Sequence, residues 1–371
     1  MEFDLTDEQR MLREGGERFL QESYPFERRR VTLAAANRCD DSIWKSFAEL
    51  GWLALLLPEE AGGLGAGLFE SVLLAEEMGR HLVLEPFATT AVLGARLIER
   101  SGNESLRNEM LAKLAAGTLR VALAALEPGR GYELGNPATR ARTTGTGYVL
   151  DGSKMVVQDA PAAQRLIVAA TADTGPALFA VDPTLQGVTI RAYPLIDGRL
   201  AADVDFAGVK LSAANLLCDA ARAGDVLDEA IDRLRVFEVA EALGAMEAVV
   251  AQTSEHLRNR KQFGQPLAAF QALQHRMAEM FVEVQETRSA LYHALAHLET
   301  PTAQRNAAVS SAKVVASEAG RIVGGLGIQL HGGVGMTDEY QVGHFFKRLL
   351  VLEKSWGDVD FHLDRIARTY R

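Results

Sequence analysis

Apolar residues from Leu5 to about Gly117 recur at three- and four-residue spacings, broken by Pro25, Pro58 and the Gly62, Gly63, Gly65 cluster. That period predicts amphipathic helices separated by tight loops. The texture then changes to short apolar runs, VALAAL, YVLDGSKMVV, RLIVAA and ALFAV, set between Gly, Pro and Asp. Such runs predict strands joined by tight turns, with no long helices alternating between them. Helical periodicity returns at about Asp219 in longer stretches, of which DRLRVFEVAEALGAMEAVVAQTSEHLRNR is the clearest and PTAQRNAAVSSAKVVASEAGRIVGGLG the next. The order helices, strands, helices predicts an α+β chain that is mainly α, with domains at 1–117, 118–218 and 219–371 packed into one body.

Composition narrows the function. The 371 residues are enough to bury a sizeable cofactor, and the content of 48% apolar and 24% charged residues is that of a folded globular protein. A net charge of -10 argues against a nucleic-acid partner, which requires cations along the phosphates. Cys39 and Cys218 have neither CxxC nor Cys/His spacing, so no disulfide framework and no metal site is expected. The N-terminus reads as a helix and not as a signal peptide, and no stretch is long enough for a membrane span, so a cytoplasmic location is expected.

Four stretches carry a family resemblance. They are LGWLALLLPEEAGGLG with AEEMG at 50–79, ALEP with YVLDGSKM at 125–155, RNRKQFGQPLAAFQALQHRMAEM at 258–280, and QLHGGVGMTDEY at 329–340. Together, in this order, they resemble the acyl-CoA dehydrogenases. The resemblance implies an N-terminal helical domain, a central β-barrel-like domain and a C-terminal four-helix bundle. It also implies a tetramer, FAD as cofactor, an acyl-CoA substrate and an electron-transferring flavoprotein as acceptor. On that reading Arg260, Phe263, Gln271, Gln329, Leu330, His331, Gly332 and Gly333 serve the adenosine and pyrophosphate end of FAD held chiefly by a neighbouring subunit. The chemistry agrees, since an arginine offers a bidentate cation to a pyrophosphate and paired glycines let a backbone approach a ligand closely. Taken singly, Arg260 reads as a solvated surface arginine and the glycine pair as a helix stop. His331 has no metal-like companion and is expected to pack near the cofactor.

The acyl side departs from the family. Its reaction needs a carboxylate for the α-proton and a flavin for the β-hydride. The usual glutamate, in a Glu-Gly-Thr motif, aligns with Trp356-Gly357-Asp358, and the alternative position aligns with Leu234. Glu241, in an apolar stretch of the long helix, is the remaining candidate base, its pKa raised by burial. The alternative is a Glu241 paired with a cation from another helix. Glu238, three residues from Arg235, reads as structural, and Arg235 matches a family arginine near the substrate thioester. Leu126, Val156 and Gln158 replace residues usual on the flavin side.

Three readings follow: a dehydrogenase subunit using Glu241, a cofactor-supporting subunit completing a partner's FAD site in a heterotetramer, and a flavin-dependent oxygenase or oxidase of the same fold. The texture resembles the small subunits of paired bacterial acyl-CoA dehydrogenases, including those for dicarboxylyl-CoA or steroid side-chain CoA substrates.

Overall fold

A computed structural model of the chain describes residues 5–370. The chain is mainly helical and also carries one large sheet, and the described residues divide into two compact units, one of residues 5–30, 68–83 and 235–370, the other of 31–67 and 84–234. In chain order the helices are α1 (Asp7–Ser23), α2 (Phe26–Ala34), α3 (Asp41–Glu49), α4 (Leu68–His81), α5 (Ala95–Glu99), α6 (Glu104–Ala115), α7 (Ala223–Asn259), α8 (Gln271–His297), α9 (Thr302–His331), α10 (Gln341–Lys354) and α11 (Val359–Arg368). Their starts follow local chemistry. Thr6 and Gln9 form a reciprocal capping box on α1, and Asp40, Asn103 and Asp358 cap α3, α6 and α11 through side-chain oxygens.

The second unit is built on eight strands, β1 (Val121–Ala124), β2 (Arg140–Thr144), β3 (Gly147–Gln158), β4 (Arg165–Ala172), β5 (Gly175–Val181), β6 (Val188–Pro194), β7 (Leu200–Ser212) and β8 (Leu216–Cys218). The hydrogen-bonded order is β6-β7-β3-β2-β4-β5-β8, with β1 branching from β4. Pairings are antiparallel except β1 and β2 with β4. Alternate residues of the strands, among them Leu150, Leu166, Val168, Phe179, Val204 and Val209, form its apolar core. The long strand β3 breaks register with β7 twice, and the second break, between Lys154 and Val157, puts Val156 at φ +50°. A β-branched residue is strained there, and the bulge re-aims the strand.

The first unit is a helical bundle. Helix α9 packs against α8, α10 and α11, and α1 packs against α4. Glycines set how close the helices come. A Cβ on Gly79 of α4 would lie 2.0 Å from the Glu241 carbonyl oxygen, and one on Gly244 of α7 would lie 1.9 Å from that of Glu76. Helices α4 and α7 therefore cross with backbone against backbone. Gly324 and Gly327 of α9 admit Phe346 and Val249 in the same way.

Candidate cofactor and acyl sites

The adenosine-side motif begins where α7 stops. Arg260 N–H still donates to the His256 carbonyl at 2.8 Å, and Leu267 N–H returns to the Arg260 carbonyl at 2.8 Å. Between them a two-strand hairpin pairs β9 (Lys261–Gln262) with β10 (Gln265–Pro266). Its two-residue loop, Phe263 at φ +53° and Gly264 at φ +83°, needs left-handed backbone at both positions, the demand of a twisted tight hairpin. The consequence is a phenylalanine 90% exposed, with its ring edge-on to Phe270 at 6.1 Å. Gln271 opens α8, and both it and Arg260 are exposed.

The second motif ends α9. Gly332, at φ +64°, is its C-cap, Gln329 and Gly333 are exposed, and Leu330 and His331 are buried. His331 joins the two motifs: its ring lies 4.5 Å from His256, one turn before Arg260, and 5.0 Å from Tyr340. Its Nδ1–H donates to the Gly327 carbonyl at 2.8 Å, and burial holds its pKa below the usual histidine value. The ring is thus neutral, with Nε2 a buried acceptor lacking a protein partner. It is a packing element and not a cation for phosphate.

These residues fit a dinucleotide. Nothing lies within 4 Å of a Cβ built on Gly264, Gly332 or Gly333, so the backbone there faces open space and a ligand can approach it closely. For such a ligand Arg260 would offer a fork to the pyrophosphate, Gln271 and Gln329 neutral amides, and Phe263 an uncovered ring face. A neighbouring cleft of about 670 Å³ is lined by Glu27, Glu255 and Glu339 together with Phe26, His256 and Tyr340. Its three carboxylates would repel phosphate.

The acyl side has a different character. Of the two readings of Glu241, the geometry presents the ion pair: Arg348 of α10 reaches it through Nε and Nη2, each at 2.8 Å, with both side chains buried. Arg235 is buried with its fork on the Trp356 carbonyl, Nε at 2.9 Å and Nη2 at 2.6 Å, and its guanidinium lies over the Phe361 ring at 5.5 Å. It holds the loop after α10, where a thioester contact was expected. Lys313 of α9 donates to the Leu352 and Ser355 carbonyls at 2.7 and 2.9 Å and lies 3.4 Å from Glu238, which also accepts from the Ser355 hydroxyl. Burial pushes the Lys313 pKa down, and Glu238 opposes this. A cation on the last carbonyls of α10 is favoured by the helix end.

That loop is where the sequence led us to expect the family's glutamate. It carries Trp356, buried and at φ +53°, a position costly for any residue with a Cβ and held here by Arg235 and Lys313. Asp358 caps α11 by accepting from Phe361 N–H at 3.1 Å. Glu353 is bound by Arg321 at 2.7 Å and by Lys354 at 3.2 Å; despite burial, those bonds keep its carboxyl below the usual range. Leu234 is buried and apolar. Glu238, Glu241, Glu353 and Asp358 therefore each already have a partner. The sequence reading missed Lys313 and Arg348, although the single cation in AAVSSAKVVASEA is a signal of a buried charge seeking a carboxylate; Arg348, with Lys347 and Lys354 in the same helix, carries no such signal.

In the sheet unit, Glu127 of ALEP is the organising carboxylate. It accepts from Lys154 Nζ at 2.7 Å, Thr139 N–H at 2.8 Å, Thr139 Oγ1 at 2.7 Å and Ala138 N–H at 2.5 Å. Burial alone would raise its pKa, but these donors outweigh it and hold the carboxyl at about 2. Burial pushes Lys154 down to about 8. The group closes the 127–139 loop onto β3. Further along β3, the Val156 N–H is taken by Tyr193 Oη at 3.2 Å and Asp203 Oδ1 at 3.3 Å.

Comparison with known proteins gives the family. The N-terminal, middle and C-terminal acyl-CoA dehydrogenase domains match residues 6–118, 122–207 and 222–370. The chain is 29% identical to the probable acyl-CoA dehydrogenase YngJ of Bacillus subtilis, covering 99% of each protein. Among solved structures it resembles a chain of the Tcur3481-Tcur3483 steroid ACAD, 29% identical with a TM-score of 0.89 over 98% of each chain. It also resembles a chain of the ChsE4-ChsE5 complex from Mycobacterium tuberculosis, 27% identical with a TM-score of 0.91 over 100% of this chain and 99% of that one. The chain belongs to the acyl-CoA dehydrogenase family, whose cofactor is FAD.

Proposed function

We propose that this chain is the cofactor-supporting subunit of a paired acyl-CoA dehydrogenase. It completes the FAD site of a partner subunit that carries the catalytic carboxylate. The observation that carries the reading is the locked acyl side: Trp356 stands where the family places its base, and Arg348 holds Glu241 by both oxygens. A base must be free to take a proton, and a buried carboxylate clamped by a guanidinium is stabilised in its charged, bound form. The resemblance to two assemblies named as pairs, ChsE4-ChsE5 and Tcur3481-Tcur3483, supports a heterotetramer of two chain types.

In this reading bound FAD supplies the electron sink for α,β-dehydrogenation of an acyl-CoA thioester. Arg260 neutralises the pyrophosphate and fixes its orientation, Gln271 and Gln329 hydrogen-bond the nucleotide, and Phe263 shields it from water. The stack of His256 and Tyr340 on the buried His331 keeps the two motifs in register. An electron-transferring flavoprotein is the acceptor, the partner's pocket sets the acyl group, and the assembly works in the cytoplasm.

Purification of the chain alone and with a co-expressed partner tests this. The lone chain is expected to carry little flavin, and the pair half a flavin per chain, bleached by acyl-CoA. One flavin per lone chain, with bleaching that disappears in Glu241→Gln, would overturn the proposal in favour of catalysis by this chain. Oxygen consumption without an acceptor protein would favour an oxidase.

A further inference from the structure

The last two turns of α8 carry the sequence His293-Ala-Leu-Ala-His297, two imidazoles four residues apart and therefore on one helix face. Their rings lie 4.3 Å apart, centre to centre, tilted by 41°. His297 Nδ1–H donates to the His293 carbonyl at 2.8 Å. That bond selects the tautomer whose Nε2 is a free acceptor, the same arrangement by which backbone carbonyls orient metal-binding histidines. His293 is exposed and His297 half-buried, so both remain accessible to a solvated ion.

We infer that His293 and His297 form a two-point chelate for a borderline transition-metal cation such as Cu²⁺, Ni²⁺ or Zn²⁺. The spacing is suited to it. A cation about 2 Å from each Nε2, bonded at roughly a right angle, places the two ring centres about 4.5 Å apart. The site also lies at the C-terminus of a 27-residue helix, where the partial negative charge of the helix favours a cation. Among the described residues no group of three or more His, Cys, Asp or Glu is placed to hold a metal. The site therefore has two protein ligands, with water completing the coordination sphere. Open coordination of this kind favours Cu²⁺ over Ni²⁺ and Zn²⁺, following the general order of divalent affinities. The residues lie outside both the dinucleotide motifs and the acyl-side cluster.

Isothermal titration of the untagged full chain with Cu²⁺, Ni²⁺ and Zn²⁺ chlorides at pH 7.5 tests the assignment. One ion per chain is expected, with affinity at least tenfold weaker in His293→Ala and in His297→Ala and unchanged in His275→Ala, which removes an exposed histidine of the same helix. His293→Gln, which keeps polarity and helix propensity, should show the same loss, and circular dichroism confirms that each variant is folded. Wild-type affinity in the His293 or the His297 variant, a loss of the same size in His275→Ala, or no saturable binding to the wild type would each overturn it.

Discussion

Single residues in this protein act mainly through the charge they leave buried. Arg348→Met would strand the Glu241 carboxylate, and a cost of about 3–5 kcal/mol is expected, read as a lower urea midpoint. The double change Glu241→Leu with Arg348→Met should recover most of that loss, because both charges leave the interior together; simple addition of the two single losses would refute the pairing. Glu127 gives a pH signature. Its folded pKa of about 2 lies below the ordinary 4.5, so the carboxylate stabilises the folded state wherever it is ionised. The contribution is complete well above pH 4.5 and is lost as pH falls from there toward 2. Unfolding free energies measured between pH 6 and pH 3 should fall less steeply in Glu127→Gln than in the wild type. The Glu127 donors were not foreseen although ALEP and SKM were read as motifs, since nothing in a linear order tells which loop folds back onto a strand. Arg235 teaches the same point. Its position suggested a ligand contact, and its fork went to the Trp356 carbonyl, 121 residues away in sequence.

Elements in the bundle meet at glycines, and the consequences of substitution depend on which face each glycine occupies. Gly79→Ala and Gly244→Ala each place a Cβ about 2 Å from a carbonyl oxygen of the facing helix, which backbone can relieve only by moving apart. Each should destabilise by about 3 kcal/mol through overpacking, visible as a lower thermal midpoint. Gly325→Ala on α9 is the contrast, for its Cβ would meet nothing within 4 Å, and helix propensity predicts a gain of about 1 kcal/mol. Equal effects of the three changes would show that the α4 and α7 crossing is looser than described. The helical period identified all these segments as helices, because an apolar stripe at 3.6 residues is a local property. Which glycine faces a neighbouring backbone is not local, and the sequence alone gave no hint of it.

At the scale of the whole molecule, the cofactor-supporting reading makes Arg260 matter to a flavin bound with a partner. In the co-expressed pair, Arg260→Ala should weaken FAD binding about tenfold or more, through loss of a charge-assisted contact, while the elution volume of the assembly stays unchanged. Flavin content per assembly after gel filtration measures it, and full retention of flavin would remove Arg260 from the site. The order of helices, strands and helices and the family were legible in the sequence, because periodicity, turn residues such as Gly264 and motif spacing are carried by near neighbours along the chain. The expectation that Trp356 takes the place of the usual glutamate came from the same motif spacing. Only the tertiary structure decided what became of the remaining carboxylates. Glu238, Glu241 and Glu353 found Lys313, Arg348 and Arg321 on other helices, and whether a buried carboxylate is a base or half of an ion pair depends on what packs against it in space.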